Sequence, residues 1–96
     1  MSKGLRFEWD PGKAGANYIK HGVSFEEAAT VFADRLSITI DDPQHSSEEY
    51  REITIGQTVK FRIVVVSHVD RFGNIRIISA RKADRNEIKQ YNEAPL

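Results

Sequence analysis

Ile63, Val64, Val65 and Val66 form a run of β-branched residues that is apolar at odd and even positions alike. Successive strand side chains point to opposite faces, so a strand built on this run must be covered on both sides and belongs in the middle of a sheet. Turn residues flank it, Gly56-Gln57-Thr58 before and Asp70 to Asn74 after. The spacing predicts two hairpins, with Arg51 to Ile55 and the Asn74 to Ile78 segment pairing on either side of a central strand over Phe61 to Val69.

The chain upstream supplies covering helices. Leu5, Phe7 and Trp9 alternate with Arg6 and Glu8 as a short opening strand. Asp10-Pro11 then starts a helix, Asp as N-cap and Pro where its missing N–H costs nothing, and Gly22 stops it as a left-handed C-cap. Ser24 and Glu27 have capping-box spacing for a second helix, and Phe25, Ala28, Ala29 and Phe32 follow as one apolar stripe. Leu36, Ile38 and Ile40 alternate as a further strand. The expected class is therefore α+β: a short N-terminal strand, two helices, an antiparallel sheet of three to four further strands and a C-terminal helix, in one domain over residues 1–96.

With 96 residues and no cysteine, the chain has no disulfide, thiolate metal site or cysteine nucleophile. No apolar stretch approaches the roughly 20 residues of a membrane span, and MSKGLRFEW lacks a signal-peptide core, so a cytoplasmic location with no membrane partner is expected. Charge is balanced overall but not along the chain. Residues 1–52 carry six Lys and Arg against ten Asp and Glu, and residues 53–96 carry eight against four. The second half is thus the candidate basic working surface, and the first half a candidate match for a basic partner. Asp41 to Glu49 is an acidic, Ser-rich loop, and His45 beside Asp41 and Asp42 matches no dependable metal-ligand spacing, so no metal is assigned.

Basic residues cluster from Asn74 to Tyr91. Arg76 falls between Ile75 and Ile77 and points to the opposite face from them, while Asp84 and Glu87 form a capping box that opens a helix carrying Ile88 and Tyr91. Arg81 and Lys82 stand at the strand-to-helix junction, as a phosphate site or as a pair of solvated charges. Lys20 and His21 occupy the last turn of the first helix, where the helix dipole alone favours cations. Alternation along the strands puts Ile63, Val65, Ile75 and Ile77 on the helix-covered face, and Arg62, His68 and Arg76 on the other with Val64, Val66 and Ile78. Such an apolar floor with a basic rim suits a base and its phosphate, or a protein partner. Arg51 shares parity with Ile53 and Ile55 and needs a bulge, a strand end or a buried partner.

Three segments, FEWDPGKAGANYIKHGVSFEEAATVF, HSSEEYREITIG and IRIISARKA, resemble in order and separation the signature segments of the BrnT toxins of bacterial type II toxin–antitoxin modules. The resemblance spans residues 7–91. It implies a RelE-like fold, a ribonuclease that arrests translation, no cofactor, and a ribbon-helix-helix antitoxin, BrnA, that covers the toxin and binds the DNA operator. The matched basic positions are Lys20, His21, Arg51, Arg62, Arg76, Arg81 and Lys82. Four positions depart from the family pattern: Phe61 stands where Gly is usual, Tyr50 where an acid is usual, Arg35 where Pro is common and Asp84 where Thr is usual.

The expected activity is metal-independent endoribonuclease cleavage, in which the RNA's own 2′-OH attacks phosphorus and the protein aligns it and stabilises charge. Arg62, Arg76 and Arg81, with Lys82 assisting, are the expected catalytic cations, His68 the expected general base, and Lys20, His21 and Arg51 the expected RNA contacts. The alternative is an inactive binding module that survives as co-repressor with a ribbon-helix-helix antitoxin.

Overall fold

The computed structural model describes residues 4–42 and 49–93. Strand β1 (Phe7–Glu8) leads into helix α1 (Pro11–His21), then the short α2 (Phe25–Ala29), which tightens into a 3₁₀ turn over Thr30–Ala33. Strands β2 (Ile38–Asp41), β3 (Arg51–Gln57), β4 (Ile63–Arg71) and β5 (Asn74–Lys82) follow, and helix α3 (Arg85–Glu93) closes the order. The sheet runs β1-β5-β4-β3-β2. It is the α+β arrangement expected, with β1 added as a fifth strand parallel to β5 at one edge.

The helix ends form where the sequence places them. Asp10 Oδ2 accepts from the Lys13 N–H at 2.8 Å, and Gly22, at φ 70°, donates to the Tyr18 carbonyl at 2.8 Å. Asp84 and Glu87 complete their box, each backbone N–H reaching the other's carboxylate at 2.8 Å. The Ser24 box closes only by half. Ser24 Oγ accepts from the Glu27 N–H at 3.0 Å, but the Glu27 carboxylate turns inward to other partners.

The core lies between the sheet and α1 and α2. Val23, Phe25, Ala28 and Val31 pack on Val64, Val66, Ile77 and Ala80, with Phe7, Trp9 and Phe32 at the margin. Each fully buried large side chain there contributes roughly 1.5–3 kcal/mol. Asn17 ties α1 to the sheet as a strand would: its Nδ2 donates to the Val23 and Ala80 carbonyls at 3.0 and 2.8 Å, and its Oδ1 accepts from the Ala80 N–H at 3.1 Å.

Two expectations are corrected. The helix-covered residues of β4 are Val64 and Val66, not Ile63 and Val65, although Ile77 of β5 is covered as expected. A bulge between Ser67 and His68 reconciles the strands: Val66 pairs with Ala80 and Ser67 with Ser79, but His68 pairs with Ile77, leaving Ile78 over. Alternation therefore changes phase along β5, and a single parity rule cannot hold for both strands. His68 consequently stands on the helix-covered side, its ring edge-on to Phe32 at 4.9 Å, apart from Arg76.

The first hairpin also turns later than expected. Strand β3 continues through Gly56 to Gln57, and the turn is Thr58 to Arg62, closed by the Thr58 N–H to the Arg62 carbonyl at 2.8 Å. Gly56 serves a close approach instead: a Cβ there would lie 3.0 Å from Val31 Cβ and 3.1 Å from Ser37 Cβ. The left-handed turn residue is Phe61, at φ 64°, which explains why a glycine suits this position.

Candidate functional site: an arginine rim on the open sheet face

On the sheet face turned away from α1 and α2, cross-strand pairing sets Arg51, Val69 and Arg76 in one row over β3, β4 and β5. Arg71 is two residues beyond Val69 on the same face. Neighbouring strands are about 4.8 Å apart, so Arg51 and Arg76 flank Val69 at roughly 10 Å across the backbone. Val69 is buried, and the three arginines surround it half-exposed.

Two carboxylates hold this rim. Glu8, opposite Arg76 on β1, accepts from Arg76 Nη1 at 3.0 Å and from Asn74 Nδ2 at 3.2 Å. Glu49 takes Arg71 in a forked pair, Nε and Nη2 at 2.8 and 3.0 Å. Hydrogen bonds from Asn74 and Arg76 hold Glu8 below the usual carboxylate range, and those from Arg71, with the fields of Arg51 and Arg76, do the same for Glu49. Arg51 makes no ion pair with the described residues and supplies the uncommitted charge of the rim.

Farther along β5 on this face, Arg81 is engaged fork to fork by Glu87 of α3, at 2.8 and 2.7 Å. Helix α3 lies against β3, and Ile55 and Val65 on this face are buried. The Tyr91 hydroxyl donates to Asp34 Oδ2 at 2.6 Å, which anchors the far end of α3. The open floor is thus bounded by α3 at one end and the arginine rim at the other.

The remaining expected residues stand elsewhere. Arg62 lies on the helix-covered side at the entrance to β4, where its Nε meets Glu27 Oε2 at 2.9 Å and its Nη2 meets the Gly22 carbonyl at 3.0 Å. Thr58 Oγ1 also donates to Glu27 Oε2, at 2.8 Å. Glu27 is 3% exposed at its side chain, and the Arg62 hydrogen bonds hold its carboxyl below the usual range against the opposing effect of burial. Lys82 is exposed opposite Val64, Lys20 is exposed and His21 half-buried at the end of α1.

His68 is 5% exposed, its Nε2 2.7 Å from Thr54 Oγ1, which in turn lies 2.7 Å from Thr39 Oγ1. Burial pushes its pKa down to about 4, so the ring is neutral near pH 7. The structure thus brings Arg51 and Arg76 together, adds Arg71, Glu8, Asn74 and Glu49, and leaves Arg62, Lys82, His68, Lys20 and His21 apart. Glu8 was within reach of the sequence: alternation with Phe7 and Trp9 sets it on the face opposite the aromatics. Its pairing with Arg76 needed the parallel β1–β5 contact, which no local signal announces.

Among the described residues no group of three or more His, Asp or Glu is arranged to hold a metal, and His45 lies outside them. No described helix is long and apolar enough to cross a membrane.

Comparison with known proteins adds two findings. A family model described as the ribonuclease toxin BrnT of type II toxin–antitoxin systems matches residues 9–87. Among solved structures, the crystal structure of the Brucella abortus ribonuclease toxin BrnT is similar, with a TM-score of 0.62 and 21% identity, covering 85% of this chain and 100% of that one. At that identity the likeness is one of fold. No curated protein matches the chain.

Proposed function

The chain belongs to the BrnT family of ribonuclease toxins of type II toxin–antitoxin systems, and from that premise we propose that it arrests translation by cutting RNA without a metal, on the sheet face bearing Arg51, Arg71 and Arg76. The observation that carries this reading is the arginine rim around Val69, with the Arg51 guanidinium in no ion pair with the described residues and two carboxylates beside it. Guanidinium groups stay charged and offer forked donors to a phosphate, so they suit the charge that builds on phosphorus.

In this reading the RNA 2′-OH attacks the adjacent phosphorus and expels the 5′-oxygen. Its proton passes to Glu8 or Glu49, both ionised near neutrality, and the leaving oxygen takes a proton from water. Arg76 and Arg51 hold the phosphate, with Arg81 contributing once Glu87 releases it. Lys20, His21 and Lys82 act as backbone contacts beyond the site. Arg62 and His68 serve as scaffold, because one is held by a buried carboxylate and the other is enclosed. The partner is a ribbon-helix-helix antitoxin of the BrnA kind, which covers this face and carries the complex to the DNA operator.

The reading predicts cleavage that persists in chelator and leaves a 2′,3′-cyclic phosphate, or the 3′-phosphate derived from it, on the upstream fragment. A deoxyribose at the scissile position should abolish cutting. Cutting of that substrate at the same bond, or activity lost in chelator and restored by magnesium, would replace the mechanism with metal-assisted hydrolysis. An intact toxin that cuts no RNA yet tightens operator binding by the antitoxin would support the co-repressor reading.

A further inference from the structure

The β4–β5 hairpin turns on two residues, Phe72 at φ 54° and Gly73 at φ 86°, between the paired Arg71 and Asn74. Two consecutive left-handed residues make the tight turn whose twist matches a hairpin, and the first position strongly favours Asn, Asp or Gly. A phenylalanine there is strained, because its Cβ crowds the following carbonyl. Its ring gives nothing back to the fold: Phe72 is 103% exposed, with no ring contact among the described residues. A left-handed residue that the fold itself disfavours is a pointer to function.

The surroundings choose between occupants. Arg71 immediately precedes the turn, Asn74 follows it and binds Glu8, and Arg76 is next on the same face. We infer that Phe72 is the stacking platform for an unpaired base of the RNA substrate, which it holds so that the adjoining phosphate lies against Arg71, Arg76 and Arg51. An aromatic face beside a cationic track is the combination that binds single-stranded nucleic acid, the ring taking any base and the arginines the backbone. The inference rests on the ribonuclease reading and adds a positioning residue to it. Phe61 is the internal contrast: it is also left-handed and 82% exposed, but the neighbouring Arg62 is occupied by Glu27 and the Gly22 carbonyl.

The test uses the full chain and a fluorescent, unpaired oligoribonucleotide carrying 2′-O-methyl groups, which cannot supply the nucleophile. Phe72→Gly should fold at least as stably as the parent, since glycine relieves the turn, yet bind roughly five- to a hundredfold more weakly. Phe72→Trp should restore binding, and Phe61→Gly should stay within about twofold of the parent on the same scale. Undiminished binding by Phe72→Gly, or an equal loss in Phe61→Gly, overturns the assignment while leaving cleavage of natural RNA by the parent as support for the ribonuclease reading. Loss of antitoxin affinity alone in Phe72→Gly assigns the ring to a protein contact and also overturns it. A parent that neither binds nor cuts RNA removes both.

Discussion

Arg62 at the entrance to β4 and Arg71 at its exit are both paired with a glutamate, but the two partners differ in their access to water. Glu27 is 3% exposed at its side chain, whereas Glu49 is 42% exposed. At the entrance the arginine offsets a carboxylate that burial would otherwise destabilise, and releasing it for a ligand would leave that charge uncompensated. At the exit the carboxylate can return to water, so an incoming phosphate can compete for the guanidinium at little cost. Whether an arginine is structural or available is decided by its partner's burial rather than by its own: Arg62 and Arg76 are almost equally exposed, at 31 and 27% of their side chains.

The largest effect should come from breaking the buried end. Arg62→Ala strands the Glu27 carboxylate, which is 3% exposed, so denaturant unfolding should show a loss of about 3–5 kcal/mol. A variant as stable as the parent would erase the distinction between the two ends.

Next comes His68, which lies between them. Its folded pKa of about 4 is below the unfolded value near 6.5, so the unfolded chain binds the proton first. The stabilisation is fully present above pH 6.5 and is lost as pH falls towards 4, by up to about 3 kcal/mol. Stability measured against pH should lose this slope in His68→Gln. An unchanged slope would mean that the ring is open to water and available as a base.

A smaller effect belongs to the exposed end. Arg76→Ala should keep stability within about 1 kcal/mol while slowing cleavage at least about tenfold, which corresponds to 1.4 kcal/mol at the transition state. A large drop in melting temperature with normal activity would make Arg76 another Arg62. The smallest change should be Tyr91→Phe, which removes the bond to Asp34 and should cost about 1 kcal/mol. Burial and that carboxylate push the Tyr91 phenol up to about 12. Its contribution is therefore present below pH 10 and lost as pH rises towards 12, and alkaline titration of the two proteins should show the difference.

What could be read in advance was what is local. Caps at Asp10, Ser24 and Asp84 rest on neighbours three residues away, and the apolar run at Ile63 to Val66 declares its own central place. What could not be read depends on partners far along the chain. Glu27 looked like half of a capping box until Arg62, 35 residues on, took its carboxylate. Arg76 was placed on the correct face, but His68 and Arg62 were set beside it because the bulge is a property of pairing and not of either strand alone. Arg71 and Phe72 passed as ordinary turn residues, since only the backbone shows the left-handed conformation at Phe72.

The bulge also decides which mutations this gene can survive. Ile78 is half-buried and left over by the pairing, so a missense change at its codon should alter little more than local packing. An in-frame loss of that codon should be tolerated as well. Joining Ile77 to Ser79 would make alternation strict along β5 while keeping Ile77 opposite His68 and Arg76 opposite Val69, so Ile75 and Ile77 would stay on the core side and Arg76 on the open face. One deleted triplet would thus straighten the strand and leave the core and the arginine rim in place, because it removes the β5 residue that the pairing leaves over.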